Sequence, residues 1–162
     1  MTDSQALDAA EAPAVLLTTA QLQQLIPHRW PFLLVDRIVE EDIQRGYIRG
    51  EKAVTAGEWY FGGHFPGLPV MPGVLQVEAL AQTMAVYVSR REGFGDRIGL
   101  FAGIDDCRFK RIVQPGDRLT LEVTMEKLGR RMGRGRAVAS VDGEVACEAR
   151  ISFIIPPADA LR

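Results

Sequence analysis

Histidine and cysteine are scarce in this chain, with two of each in 162 residues. A structural zinc takes four clustered Cys or His ligands and a catalytic one three. Here His28, His64, Cys107 and Cys147 are scattered and join no Asp/Glu group at ligand spacing, so no metal is expected. Residues 129–136 are glycine-rich, but no phosphate-loop pattern precedes them and no Lys-Ser/Thr follows; they read as a solvated hairpin, and no nucleotide cofactor is expected. An excess of one charge is missing as well. With 19 Lys and Arg against 21 Asp and Glu, the net charge of -2 argues against a general nucleic-acid binder. Nor is there a spanning run: the longest helical apolar segment falls short of the roughly 20 residues a bilayer requires and is interrupted by Glu78. No secretory leader is evident, so the expectation is a reducing, cytoplasmic setting with no membrane association.

What is present suits one globular domain, since 47% of the residues are hydrophobic. Residues 1–17, rich in Ala with scattered acids, read as a frayed extension, and 18–162 as the domain. The chain is organised around residues 61–82. Its first half is a turn region punctuated by Pro66, Gly67, Pro69 and Pro72; its second is apolar nearly all round. Pro72 suits the first turn of a helix, and Met71 before it is pushed out of the helical region, which predicts a helix start at 71–73. A helix with so thin a polar stripe is buried on most sides. Glu78 is therefore out of place there: a buried carboxyl without a partner is costly and its pKa rises. It is either paired through Gln82, one turn further along the same face, or functional. His64, between Gly63 and Phe65-Pro66-Gly67, sits in rigid backbone where reactive groups are held. A neutral-range histidine, a raised carboxyl and the free N–H groups of a helix start make an acid/base set with an oxyanion site. His28, in the Pro-punctuated turn 27–31, competes with His64 for the catalytic role.

Elsewhere the pattern predicts a short helix capped by Thr18 and ended by Pro27, and strands over 32–39, 47–54, 98–104, 106–113, 119–126, 137–141 and 145–155. A polar turn is expected at 40–42, and an Asp142-Gly143 hairpin makes the C-terminal half an antiparallel meander. Gly93 is the expected stop of the long helix, after cations that complement its dipole. Trp59-Tyr60-Phe61 reads as core packing. One buried helix among strands is an α+β fold whose sheet curls over the helix.

The run His64-Phe65-Pro66-Gly67-Leu68-Pro69-Val70-Met71-Pro72-Gly73 with Val74-Leu75-Gln76-Val77-Glu78-Ala79-Leu80-Ala81-Gln82 resembles the active-site signature of hot-dog-fold 3-hydroxyacyl-[acyl carrier protein] dehydratases. Glu78, where the FabA type has aspartate, makes it similar to the FabZ type. Residues 25–37 and the block of Phe101 to Asp105, Arg108 to Lys110 and Pro115 to Asp117 are similar to that family too, so the likeness covers about 21–155. The resemblance implies a hot-dog fold, with a curved antiparallel sheet wrapped around the long helix, and a homodimer, sometimes a trimer of dimers, whose active sites are shared. It implies His64 of one subunit opposite Glu78 of the other as catalytic pair, the Gly73 N–H as oxyanion donor, and Phe65, Pro72, Val74 and Gln82 against substrate. His28 becomes a structural residue near the dimer interface. The implied reaction removes water from a (3R)-hydroxyacyl thioester on an acyl carrier protein, which Arg108, Lys110 and Arg111, together with Arg97, are candidates to dock. A hot-dog thioesterase or hydratase acting on coenzyme A thioesters, and a non-catalytic carrier-binding module, remain as alternatives.

Overall fold

The computed structural model describes residues 14–95 and 97–157; most of the expected N-terminal extension lies outside them. Thr18 caps α1 (Thr19–Leu25), where the side-chain Oε1 of Gln21 accepts from both the Thr18 backbone N–H and its hydroxyl. Just ahead of it, Leu17 is buried and exchanges hydrogen bonds with Ile38. Leu17, read as the last residue of the extension, thus packs against the core beside the first strand.

Six strands follow in one antiparallel sheet: β1 (Arg37–Asp42), β2 (Tyr47–Ala53), β3 (Leu100–Phe109), β4 (Arg118–Leu128), β5 (Met132–Val141) and β6 (Glu144–Ile154), in the order β1-β2-β4-β5-β6-β3. The meander β4-β5-β6 is as expected, and its second turn holds Asp142 and Gly143 at φ 50 and 82, the left-handed pair a tight hairpin needs. Two expectations are corrected. The apolar run 32–35 is not strand; the strand starts at Arg37 and continues through residues 40–42, which were read as a turn. Residues 98–104 and 106–113 are not two strands but the single β3, kept continuous by irregularities at Phe101/Gly103 and Asp105/Arg108, with Asp106 at φ 51. A bulge turns the alternation out of phase, which is what imitates a strand break in sequence.

The long helix, α2 (Gly73–Ser89), lies against β2, β4, β5 and β6. Ala79, Leu80, Met84 and Val86 are sealed in the core, each large apolar side chain contributing about 1.5–3 kcal/mol by leaving water. The helix stops short of Gly93: Arg90 caps it, Ser89 donates to the Val86 carbonyl, and Arg90 and Arg91 both pair with Glu41 of β1. Burial pushes the Cys147 thiol up to about 12, beside Cys107; both are free. No helix among the described residues is long and apolar enough to cross a membrane.

Candidate active site

Glu78 sits in the second turn of α2 with its side chain 15% exposed. Burial raises its pKa above the ordinary carboxylate value, and one hydrogen bond from Gln82 opposes the rise. Gln82, 1% exposed, is the organising group. Its Nε2 donates to Glu78 Oε1 at 2.9 Å and to the Phe32 carbonyl at 2.7 Å, while its Oε1 accepts the Leu34 N–H at 2.8 Å. Both amide hydrogens are spent within the chain. Gln82 therefore aims Glu78 and ties the 32–34 segment to the helix, and has no donor left for a substrate. That segment is irregular because its polar backbone is satisfied by this side chain rather than by a strand neighbour.

His28, read from the sequence as a structural residue, reaches the Glu78 carboxyl. Its Nε2 lies 3.5 Å from Glu78 Oε1 and its ring stacks on Phe32. Desolvation first, and then the charge of Arg29, lower its pKa, so the contact is that of a neutral imidazole with a carboxyl, not an ion pair. Among the described residues its buried Nδ1 has no partner. The signal in the sequence was the turn 27–31, which sets a proline on each side of His28.

His64 is held by backbone. Its N–H donates to the Tyr60 carbonyl at 2.9 Å, its carbonyl accepts from Val70, and Nδ1 meets the Val70 carbonyl at 2.6 Å. A carbonyl only accepts, so a proton is on Nδ1, and in the neutral ring the lone pair is then on Nε2, the tautomer of a general base. The short 3₁₀ turn Trp59–Gly62 feeds it: Tyr60 and Phe61 are core, as expected, whereas Trp59 lies half out and donates its indole N–H to the Pro31 carbonyl.

A cavity of about 240 Å³ runs beside α2 from His28 and Glu78 past Met84 and Val88 to Ser89, walled opposite by Phe101 and Phe153. His64 does not line it. Within one chain the structure thus joins Glu78, Gln82 and His28 and leaves His64 outside. Gly73 opens α2 with Pro72 as N-cap, and the first N–H groups of a helix lack intrahelical acceptors. Packing inside the fold also calls for glycine there: a Cβ would stand 2.7 Å from the Phe109 ring. Phe65 and Val74 are exposed, and Pro72 is partly so. Of the docking candidates, Lys110 is paired with Glu148 and Arg111 with Asp117 and Glu144, whereas Arg108 bonds only the Cys107 carbonyl among the described residues.

The solved dehydratase heterocomplex ApeI:P from Xenorhabdus doucetiae shares this fold, with a TM-score of 0.71 and 19% identity over 86% of this chain and 93% of that one. So does a mutant thioesterase from Pseudomonas aeruginosa, at 0.62 and 19% identity over 91% and 97%. In sequence the chain is 56% identical over 88% of its length to the 3-hydroxyacyl-[acyl-carrier-protein] dehydratase FabZ of Bacillus pumilus, covering 98% of it. The Bacillus cereus FabZ is 53% identical over 86%, with 96% covered. The family model described as a FabA-like domain matches residues 26–150, a span that takes in the His64 loop, Glu78 with its Gln82 clamp and the sheet as far as Arg150 in β6, and the chain belongs to that FabA-like family.

Proposed function

We propose that the chain is a 3-hydroxyacyl-[acyl carrier protein] dehydratase that removes water from a (3R)-hydroxyacyl thioester to leave the trans-2-enoyl thioester. The observation that carries this reading is the pair of opposite acid/base states: His64 with Nε2 free by tautomer, and Glu78 held protonated further up the pH scale by burial. His64 Nε2 takes the proton from C2. The electron pair of that bond forms the C2–C3 double bond as the C3–O bond breaks, and Glu78 gives its proton to the departing hydroxyl, which leaves as water. The oxygen of the thioester gathers charge in between, and the Gly73 N–H at the positive end of α2 is the donor suited to it. Return of the proton from His64 to Glu78 through solvent resets the site.

The site is completed by a second copy. Supporting this, His64 lies outside the cavity that holds Glu78, and β3, an edge of the sheet, exposes Leu100, Phe101, Ile104 and Phe109 along its length. An apolar unpaired edge is a template for another strand. Pairing of two β3 edges gives a homodimer, and three such dimers a hexamer. The carrier protein, acidic at its surface, docks at the rim through Arg108, the least committed of the three candidate cations.

The test is conversion of a short (3R)-hydroxyacyl-carrier substrate to its enoyl product by wild type, His64→Ala and Glu78→Gln. Turnover by wild type, lost in both variants with assembly intact, supports the reading. Release of free acid instead would make the protein a thioesterase, and binding without turnover a carrier-binding module.

A further inference from the structure

The arginine- and glycine-rich stretch is not a solvated hairpin throughout. Residues 132–137 form the start of β5, with Arg134 and Arg136 outward and Gly133, Gly135 and Ala137 buried. The two glycines therefore face α2 and the cavity. Gly133 pairs directly with Phe153 of β6, and directly opposed residues of an antiparallel pair point to the same face. The Phe153 ring lies down across the space a side chain at 133 would fill: a Cβ there would come within 2.4 Å of Phe153 Cζ. On its other side the ring reaches Gly99, where a Cβ would be 3.6 Å away. Gly135 makes the same kind of room for Met84, whose Cε would be 3.0 Å from a Cβ. Phe153 and Met84 both line the cavity.

We propose that Gly133 sets the acyl-chain length this enzyme accepts, by letting Phe153 lie flat as the cavity floor instead of standing into the acyl path. This rests on the dehydratase reading for what fills the cavity. The space is distal to the reacting carbons: Met84 is six residues beyond Glu78, about 9 Å along the helix. A pocket of roughly 150 Å³ holds a six-carbon benzene, so 240 Å³ takes about ten carbon atoms by the same ratio. Any methyl added at 133 lifts the ring off the sheet into that distal half, because the Lys127 carbonyl of β4, 3.1 Å from the Cβ position, keeps the methyl from moving away from the ring.

The experiment compares wild type, Gly133→Ala and Phe153→Leu on (3R)-hydroxyacyl-carrier substrates from four to sixteen carbons, with thermal unfolding as control. Gly133→Ala is expected to keep four-carbon turnover and lose kcat/KM on the longest chains by at least about tenfold, the range a pocket methylene commands. Phe153→Leu moves the profile toward longer chains. Equal losses at every length, or an unmoved profile in both folded variants, overturn the inference. Calorimetric binding of saturated fatty acids of graded length reads the cavity independently of chemistry. If wild type dehydrates nothing yet Gly133→Ala still shortens the longest acid bound, the dehydratase reading fails and the length determinant stands. If turnover is normal and the bound-length limit does not move, the reverse holds.

Discussion

Glu78 and His64 are positioned by opposite means. The carboxyl stands on a buried helix and is aimed by a side chain, Gln82, which reaches across to a loop; the imidazole stands on a turn and is aimed by backbone, through the carbonyl of Val70. Burial shifts the ionisation of the first, whereas a single acceptor selects the tautomer of the second. A helix interior is the place to hold a carboxyl protonated, and a rigid loop the place to present a lone pair.

Removing either group should have the largest effect. His64→Ala and Glu78→Gln should each lower kcat by about a hundred- to ten-thousand-fold, with far-ultraviolet dichroism unchanged; a smaller loss in one would break the symmetry of roles. Next comes assembly. Ile104→Lys, a charge on the exposed β3 edge, should halve the mass seen by sedimentation and abolish turnover although it touches neither residue, whereas an active monomer would return the whole site to one chain. Gln82→Leu separates aiming from chemistry. It strands the Leu34 N–H and the Phe32 carbonyl and should cost about 1–3 kcal/mol in denaturant unfolding as well as lowering kcat, while the corresponding loss at Val70 is not open to side-chain mutation.

The smallest effect is on stability against pH. Because burial raises the pKa of Glu78 in the folded state above its ordinary 4.5, the native protein holds more protons than the unfolded chain just above that pH. Stability linked to this group is full below pH 4.5 and declines as pH rises through the folded pKa. Urea midpoints for wild type should therefore fall relative to Glu78→Gln as pH increases, and parallel curves would show that Gln82 and His28 cancel the burial.

The two sheet edges make a second contrast. β1 carries Glu40, Glu41 and Asp42 and is covered near its start by Leu17; β3 exposes Leu100, Phe101, Ile104 and Phe109 alongside Asp105, Asp106 and Arg108, and no segment among the described residues covers it. Cover keeps an edge solitary, and its lack beside exposed apolar side chains invites a partner.

Much of this was legible in the sequence. The all-round apolar face marked α2, the residues around Pro72 marked its start, and Asp142-Gly143 marked the hairpin, because propensity, period and turn chemistry act within a few neighbours. Glu78 was conspicuous as a carboxyl in an apolar helix, and its partner Gln82 lay one turn away. The β3 bulges were not legible, since a bulge is decided by pairing with β6.

Only the tertiary structure decided what faces what over long separations. His28 came to Glu78, the 32–34 segment to Gln82, Phe109 to Gly73 and Phe153 to Gly133. Local sequence determines which elements form and where they stop. Which side chain fills the space beside a glycine or a carboxyl depends on the packing of the curved sheet against one helix, a choice made jointly by residues that no local pattern connects.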